Sequence, residues 1–458
     1  MLPSPLARWF SRTIGFPLVI NGGWRPDKDR RHFARLLRHK LDSQYWPPEQ
    51  MAPWQLERLR RLLEHAGQNV PYYRDLFHQI GFDPRGLTTL ADLGALPTLT
   101  RRTLQEQGPR LLAENLPSSS INIGRTGGSS GAPLEFWRDR AFDLDFEASA
   151  WLADLVAGRR YGSRTGYLWG ASRDINPYLG LRGFARARLR NEFIIDARAL
   201  SDSDLARHHR VLQRRPPEVL VSYASAADHL ARYFEQHGLT PNYPLAALIP
   251  TGEPLEPAMR ARLERVFPAP VFDRYGSREV GLMAYECQQH AGLHLNLTGM
   301  HLECLGPDVY STPGEVVITQ LHNYAMPLIR YEIGDLALLA AGPCPCGRAA
   351  PRLRQVAGRK MQPFINAAGH YVESYSLVAE ARKSPHLREF QLIQEDPRHL
   401  RLLIIPEPSC TPEHLAVIRA EILEFMGPEC ELVIEPVSHI PLPASGKRQM
   451  LVSKIKSS

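Results

Sequence analysis

Apolar and amphipathic segments alternate over residues 218–275, and this alternation constrains the fold more than any other feature of the chain. Three apolar runs of strand length are separated by two segments with helical periodicity, the first of them closed by Gly238. In order they are Glu218 to Tyr223, Ala224 to Gln236, Leu245 to Ile249, Pro257 to Val266 and Val271 to Tyr275. A βαβαβ order predicts a largely parallel sheet.

The regions on either side predict a two-domain α/β protein. Leucines at helical spacing indicate helices over residues 50–115, with Gly67 ending the first run. After residue 295 the chain is rich in strands and hairpins, and Gly358 begins a stretch that mixes strands with a helix. We expect a large N-terminal domain at 1–357, with mostly parallel βαβ sheet and a β-rich subdomain, and a small α+β lid domain at 358–458, because 458 residues exceed one core.

Composition narrows the class of function. The net charge of +7 comes from 55 Lys and Arg against 48 Asp and Glu, spread without long blocks of one sign. A net positive charge can indicate nucleic-acid binding, but an excess this diffuse is explained as well by a small polyanionic substrate, and we expect no nucleic-acid partner. Six cysteines in so long a chain do not form a disulfide framework, so we expect a reducing cytoplasm.

The first twenty residues lack the pattern of a targeting segment. Arg8 and Arg12 interrupt a mildly apolar stretch that has no small-residue cleavage site. We therefore expect neither a signal peptide nor a transmembrane segment. Packing on the protein's own domain is the favoured role for this stretch, with a weak membrane or partner contact as the alternative.

Two polar, glycine-bearing turns follow predicted strands. Gly252-Glu253-Pro254 comes after the second strand and Gly276-Ser277-Arg278-Glu279 after the third. Ligands of parallel sheets bind beyond the carboxyl ends of strands, so both turns belong to one candidate site. Upstream, a loop of three glycines and three hydroxyls suits an anion, although its composition alone fits a flexible surface turn as well: Thr126, Gly127, Gly128, Ser129, Ser130 and Gly131.

Taken in order, these motifs and three later ones resemble the adenylate-forming acyl/aryl-CoA ligase superfamily. The later motifs are Arg330 to Asp335, Gly358-Arg359 and Pro443 to Lys447. The chain is most similar to the phenylacetate-CoA ligase-like branch, which includes enzymes associated with capsule polysaccharide genes. The resemblance runs from about residue 45 to the end.

The resemblance implies an enzyme that joins a small carboxylic acid to ATP as an acyl-adenylate and then transfers the acyl group, usually to coenzyme A. It implies that the loop at 126–131 holds phosphates, that Glu279 binds Mg²⁺ and that Asp335 binds the ribose hydroxyls. Lys447 would neutralise charge in the first step, and Arg359 would contact ribose or phosphate at a hinge. The remaining nucleotide contacts would be Gly252, Glu253, Pro254, Tyr275, Gly276, Ser277 and Arg278.

Departures from the family pattern keep two alternatives open. Arg278 stands where a hydroxyl residue is common, and Lys360-Met361-Gln362 replaces the acidic pair of the hinge. The acceptor could therefore be an amine, a hydroxyl or a carrier thiol instead of coenzyme A. The chain could also be a catalytically silent nucleotide-binding protein of a cell-envelope polysaccharide pathway.

Cysteine spacing predicts a structural zinc site. Cys287 and His290 form one short chelating pair, and Cys344 and Cys346 form a second. Three sulfurs and one imidazole are a ligand set of closed tetrahedral zinc sites. His290 is the favoured histidine and His294 the alternative, while ordinary reduced thiols near a turn are the other interpretation.

Overall fold

The structure, a computed structural model, describes residues 27–125, 134–170, 175–176, 180–197, 200–359, 364–372, 376–441 and 450–455. Residues up to Gly358 form one compact unit, and residues from Arg359 onward form a second. This division falls one residue beyond the boundary expected at 357/358.

The described part of the first unit begins with helices, and those after residue 50 agree with the leucine spacing. They are α1 (Asp27–Ser43), α2 (Pro48–Asn69), α3 (Pro71–Ile80) and α4 (Arg101–Gln107). Helix α2 turns Leu59, Leu62 and Leu63 inward, each fully buried. A short hairpin follows, with β1 (Asn122–Arg125) and β2 (Glu135–Arg138) paired on either side of residues 126–133.

The prediction that Gly67 ends the first helix is wrong, because α2 continues to Asn69. Gly67 lies inside the helix, where α3 packs closely against it. A Cβ atom at this position would lie 2.9 Å from Cδ2 of Phe77. The glycine therefore serves helix packing, and the break comes instead at Val70, an extended residue before Pro71.

The predicted βαβαβ unit is confirmed. Strands β5 (Val219–Tyr223) and β6 (Ala247–Thr251) are parallel and joined by α8 (Ala224–Gln236), and α9 (Pro257–Val266) leads to β7 (Arg274–Ser277). Further parallel strands extend the sheet on the β5 side. These preceding elements are α5 (Arg140–Val156), β3 (Thr165–Trp169), α6 (Gly180–Arg190), β4 (Glu192–Asp196) and α7 (Asp202–Arg214).

The strands after residue 280 continue the same sheet in antiparallel fashion instead of forming a separate subdomain sheet. They are β8 (Gly281–Glu286), β9 (Leu293–Leu295), β10 (Met300–Leu305), β11 (Gly314–Gln320), β12 (Tyr331–Ala340) and β13 (Arg352–Arg359). The resulting order is β10-β11-β12-β13-β9-β8-β7-β6-β5-β3-β4. The α/β class is confirmed, with parallel and antiparallel halves meeting at β7.

The second unit is a small α+β structure. A four-stranded sheet has the order β18-β17-β16-β19, built from β16 (Leu387–Asp396), β17 (His399–Pro406), β18 (Glu431–Pro436) and β19 (Leu451–Ser453). Its other elements are the hairpin of β14 (Phe364–Ile365) and β15 (Tyr371–Val372), and helices α10 (Ala379–Lys383) and α11 (Pro412–Met426). Within the described part of the chain, no helix has both the length and the apolar character needed to cross a bilayer.

Candidate functional site

The predicted site residues around β5, β6 and β7 follow the carboxyl ends of neighbouring parallel strands. Pairing of Tyr223 with Thr251, and of Thr251 with Arg274, fixes the alignment of the three strands. Gly252, Glu253 and Pro254 therefore come directly off the end of β6, and Arg278 and Glu279 off the end of β7. The sheet brings both predicted turns to one edge, where parallel sheets bind ligands.

Glu253 has a local partner at this edge. Its carboxylate accepts a hydrogen bond of 2.9 Å from the backbone N–H of Ser225, in the first turn of α8. The N-terminus of a helix presents free N–H groups and a partial positive charge, which stabilise a carboxylate. Glu253 thus ties the turn after β6 to the start of α8.

Asp335 reaches the same region from β12 because a bulge redirects it. Val317 pairs with Glu332 and Glu315 with Leu336, so three residues of β12 stand opposite one residue of β11. Gly334 lies within this bulge at φ +76°, a conformation that glycine adopts without steric cost. The bulge aims the Asp335 carboxylate at Tyr275, whose hydroxyl donates a hydrogen bond of 2.6 Å to it.

Glu279 is largely buried between β7 and β8, at 5% exposure. Among the described residues, none donates a hydrogen bond to its carboxylate or forms an ion pair with it. A carboxylate offers oxygen ligands, and Glu279 carries its carboxylate just after β7, at the strand-end edge. This makes Glu279 a suitable ligand for a hard cation such as Mg²⁺.

Two ion-pair networks hold β7 and the residues just before it. Sequence reasoning did not predict them. In the first, Arg274 contacts Asp154 at 3.0 Å, and Arg159 joins Asp154 to Glu192 at 2.7 and 2.9 Å. These residues are scattered along the chain, so spacing does not connect them. The available signal was an acidic residue, Asp154, in the apolar pattern of α5.

The second network lies beside the start of β7. Arg260 donates to both oxygens of Glu286, at 3.0 and 2.8 Å, and Glu286 also accepts from the backbone N–H of Asp273 at 2.7 Å. Burial and the charge of Glu286 raise the pKa of Asp273 to about 7, against the lowering effect of Arg260 and Arg274. A carboxyl that titrates near neutral pH therefore precedes the predicted nucleotide motif by two residues.

A cysteine and histidine cluster lies beyond β8. The ligand atoms of Cys287, Cys344, Cys346 and His294 all lie within 4.8 Å of one another. The sulfurs of Cys287 and Cys344 are 3.8 Å apart, which matches the edge of a tetrahedron with zinc–sulfur bonds of about 2.3 Å. Nε2 of His294 lies 3.3 Å from Sγ of Cys346, and its Nδ1 is 3.4 Å from the carbonyl oxygen of Ala350.

The choice of His290 as the fourth residue of this cluster is corrected. His290 adopts a left-handed backbone conformation at φ +49°, and its ring packs on Phe272. Its Nδ1 lies 3.4 Å from a carboxylate oxygen of Glu286, and the ligand atoms that lie within 4.8 Å of one another include His294 instead. His294 lies on β9, where pairing with β13 brings it beside the segment that carries Cys344 and Cys346.

The surroundings of the cluster set the protonation of its members. Burial lowers the pKa of His294 to about 4, so its ring is neutral at physiological pH. Burial raises the pKa of Cys287 to about 12. Burial acts the same way on Cys346, but the N–H and guanidinium of Arg348 outweigh it and lower the pKa of that thiol to about 7. A neutral imidazole and an adjacent arginine both suit a thiolate-rich metal site.

The sequence was compared with protein families and with known proteins. Residues 364–454 match a family model described as the CapK C-terminal domain. The chain is 28% identical over 325 residues to a phenylacetate-coenzyme A ligase of Thermus thermophilus, covering 68% of this chain and 71% of that one. It is 21% identical over 408 residues to protein CapK of Staphylococcus aureus, covering 88% and 89% of the two chains.

The same fold occurs in a solved structure of a 2-hydroxyisobutyryl-CoA ligase in its postadenylation state, with a TM-score of 0.69 and 23% identity over 90% of this chain and 93% of the other. The chain is therefore similar to phenylacetate-CoA ligases and to CapK over most of its length, and it shares the fold of an adenylate-forming CoA ligase. The match to CapK covers 88% of this chain, as expected from motifs that are spread along most of the sequence.

Some site residues expected for this adenylate-forming ligase fall outside the described part of the chain. They are the phosphate-loop residues Thr126, Gly127, Gly128, Ser129, Ser130 and Gly131, together with Lys447. Arg359 is described as the exposed last residue of β13 and the first residue of the second unit. The described site therefore consists of the turns after β6 and β7 and the bulge of β12.

Proposed function

We propose that this adenylate-forming ligase condenses a small carboxylic acid with ATP to give an acyl-adenylate and pyrophosphate, and then transfers the acyl group to coenzyme A. The observation that carries the proposal is the meeting of Asp335 and Tyr275 at the strand-end edge that also holds Glu279. An ionised carboxylate there offers acceptors for two ribose hydroxyls, one beside the oxygen that Tyr275 already holds.

The other nucleotide contacts follow from position along this edge. We propose that Gly252, Glu253 and Pro254 with Tyr275, Gly276, Ser277 and Arg278 line the adenine and ribose side. The loop at 126–131 and Arg359 would contact phosphate or ribose. Glu279 would hold Mg²⁺, which when bound neutralises the charge of the phosphates during transfer.

The chemistry demands positive charge where two anions meet. Attack of a carboxylate on the α-phosphate brings like charges together, so the site must stabilise both before the bond forms. Lys447 is proposed to supply that charge, while Asp335 fixes the ribose so that the α-phosphate faces the acid. The pyrophosphate then leaves with the electrons of the broken P–O bond, and the acyl group becomes reactive toward a thiol.

Aromatic rings next to this edge favour an aryl or bulky acyl acid. Trp169 ends β3, and its ring lies 4.8 Å from that of Tyr223 at the end of β5. The ring of Tyr167 lies nearly parallel to that of Trp169, with centroids 6.3 Å apart. Such rings offer flat apolar contacts to an aryl group. Phenylacetate, named for the Thermus thermophilus relative, is therefore the first substrate to test.

Zinc is proposed as a structural metal at Cys287, Cys344, Cys346 and His294. The donor set and the 3.8 Å sulfur separation fit a closed tetrahedral site, with no position left for substrate. Because Cys287 directly follows β8, which pairs with β7, the metal would stabilise the strands that carry the nucleotide turns.

ATP–pyrophosphate exchange over a panel of carboxylic acids tests the first half-reaction. We expect exchange with at least one aryl or acyl acid, and loss of exchange in Lys447→Ala. Lys454→Ala is the matched control, because Lys454 is a surface residue paired with Glu395. ATP binding without exchange for any acid would reject the ligase and favour a silent nucleotide-binding protein.

Addition of coenzyme A tests the second half-reaction. Thioester formation should follow with any acid that supports exchange. Exchange without thioester would direct the search to amine, hydroxyl or carrier-thiol acceptors. A role in cell-envelope polysaccharide assembly, suggested by likeness to CapK, would then be tested with acceptors of that class.

A further inference from the structure

The outer face of α6 carries apolar side chains where a surface helix normally presents polar ones. Positions 181, 184, 185 and 188 are spaced i, i+3, i+4 and i+7, which places them on one side of a helix. All four are exposed, with Leu181 at 85% and Phe184 at 56%. Gly183 is buried on the opposite side. We call Leu181, Phe184, Ala185 and Arg188 the α6 outer face.

Arg188 gives this face a positive charge, on a helix that is itself basic. The eleven residues of α6 include four arginines and no acidic residue. The guanidinium of Arg188 lies over the ring of Phe184, 5.3 Å from its centroid. Burial lowers the pKa of Arg215, and the charges of Arg188 and Arg164 lower it further, which places three arginines near one another.

The position of α6 leaves the face accessible. The helix directly precedes β4, the edge strand of the large sheet, so no further described strand covers that side. Arg190 turns inward and pairs with Glu192 at 3.3 Å, and Arg215 packs over Phe193 of the same strand. The inward side of α6 is thus bound to the sheet edge, and the outer face points away from it.

From these observations we propose that the α6 outer face binds the surface of an anionic lipid bilayer. Leu and Phe side chains enter the interface between headgroups and acyl chains, while arginines bind lipid phosphates. Arg188 can bind a lipid phosphate while it stays packed on Phe184, because its methylene chain is apolar and its guanidinium is charged.

Other occupants fit these features less well. A second copy packed face to face would bring Arg188 and its neighbours against the same charges, which repel. A stable protein interface buries about 800 Å² on each partner, whereas two large apolar side chains supply only part of that area. Shallow insertion into a bilayer needs no more than a short apolar face combined with basic charge.

Co-sedimentation of the intact protein with vesicles tests the proposal. We expect binding to vesicles of phosphatidylglycerol mixed with phosphatidylcholine, weakened by salt, and little binding to phosphatidylcholine alone. Leu181→Asp/Phe184→Asp should abolish sedimentation. Arg188→Gln should weaken the vesicle affinity about fivefold, the effect of one basic residue near an anionic surface.

The matched control is Val417→Asp/Phe425→Asp on α11, which makes the same change at two other exposed apolar positions, 56% and 43% exposed. It should bind vesicles like the unaltered protein, and thermal unfolding should show all variants folded. Equal sedimentation of the Leu181→Asp/Phe184→Asp variant and its control would overturn the proposal. A second result would also overturn it: the unaltered protein is a dimer in light scattering and does not bind vesicles, and the Leu181→Asp/Phe184→Asp variant is a monomer.

Discussion

Two histidines four residues apart, His290 and His294, differ in their contact with the cysteine cluster. His290 lies three residues after Cys287 and His294 seven residues after it, and the sequence favours His290 as the ligand. Spacing could not decide, because the choice depends on long-range pairing. His294 lies on β9 opposite Arg352, and this pairing sets it beside Cys346.

Replacing each histidine in turn gives a direct test of the proposed zinc site. His294→Ala should lower zinc affinity by more than the roughly 10- to 100-fold that loss of an outer partner costs. His290→Ala should retain zinc at unit stoichiometry. Metal content of protein purified without chelator measures both. Retention of zinc by His294→Ala, or absence of zinc from the unaltered protein, would reject the assignment.

The hydrogen bond between Tyr275 and Asp335 predicts a defect in nucleotide binding. Tyr275→Phe leaves the ring but removes the donor that orients the carboxylate at 2.6 Å. A hydrogen bond to a charged group contributes about 1.5–3 kcal/mol, so AMP affinity should fall at least about tenfold. Calorimetric titration with AMP measures it. Tyr310→Phe, at an exposed tyrosine, is the control and should bind normally.

Asp273 predicts a pH-dependent loss of stability. Its carboxyl ionises near pH 7 when folded but near its ordinary value of 3.8 when unfolded. Between these values the folded chain holds a proton that the unfolded chain has released, so stability falls as the pH rises toward 7. Asp273→Asn carries no such titration. Its melting temperature should match that of the unaltered protein near pH 4 and exceed it above pH 7.

That comparison isolates one group, because Arg260, Arg274 and Glu286 face position 273 in both proteins. Thermal unfolding across this pH range is the measurement. A constant offset between the two proteins would show that Asp273 is ionised throughout, and that its shift is absent.

At the scale of elements, local pattern was sufficient where an element is long and amphipathic. The helices at 224–236 and 257–266 have the predicted bounds. The strand at 271–275 was displaced to Arg274–Ser277, and Val271 forms only an isolated bridge to Leu248. Strand limits depend on what lies alongside, which the local sequence does not contain.

The joining of both halves into one sheet was beyond sequence reasoning for the same reason. Antiparallel pairing of β7 with β8 links the parallel unit to the strands after residue 280. The site shows a similar division. Glu279 and Glu253 follow from strand order alone, whereas the approach of Asp335 to Tyr275 depends on a bulge in a distant strand.

The packing of α2 on α3 predicts an unusual response to substitution. In an exposed helix interior, glycine to alanine stabilises by roughly 1 kcal/mol. At Gly67 the new methyl would lie 2.9 Å from Phe77, and overpacking costs about 1–3 kcal/mol. Gly67→Ala should therefore lower the melting temperature, and adding Phe77→Leu should recover part of the loss.

Gly94→Ala provides the comparison, because no atom lies within 4 Å of a Cβ built there. This variant should be neutral or slightly more stable in the same thermal scan. If Gly67→Ala were stabilising, the ring of Phe77 would have moved aside at little cost, and the close packing would not explain the glycine.

At the scale of the whole molecule, the second unit has the features of an independent domain. Its own cluster of buried side chains includes Leu392, Leu402, Ile404 and Ile422, and its sheet pairs only with itself among the described strands. The family model covers 364–454, nearly the same span. We predict that a fragment of residues 359–458 folds alone, with a cooperative thermal transition in circular dichroism and dispersed amide signals in NMR.

Two substitutions on α11 make this test specific. Ile422 is fully buried, and truncation of a buried isoleucine to alanine costs about 2–5 kcal/mol, which in a domain of this size lowers the melting temperature by at least about 10 °C. Val417→Ala on the exposed side should change it little, since Val417 is 56% exposed. If the fragment instead shows no cooperative transition, or both substitutions act alike, its core depends on the larger unit. The two units would then be separate in the structure, but the second would not fold without the first.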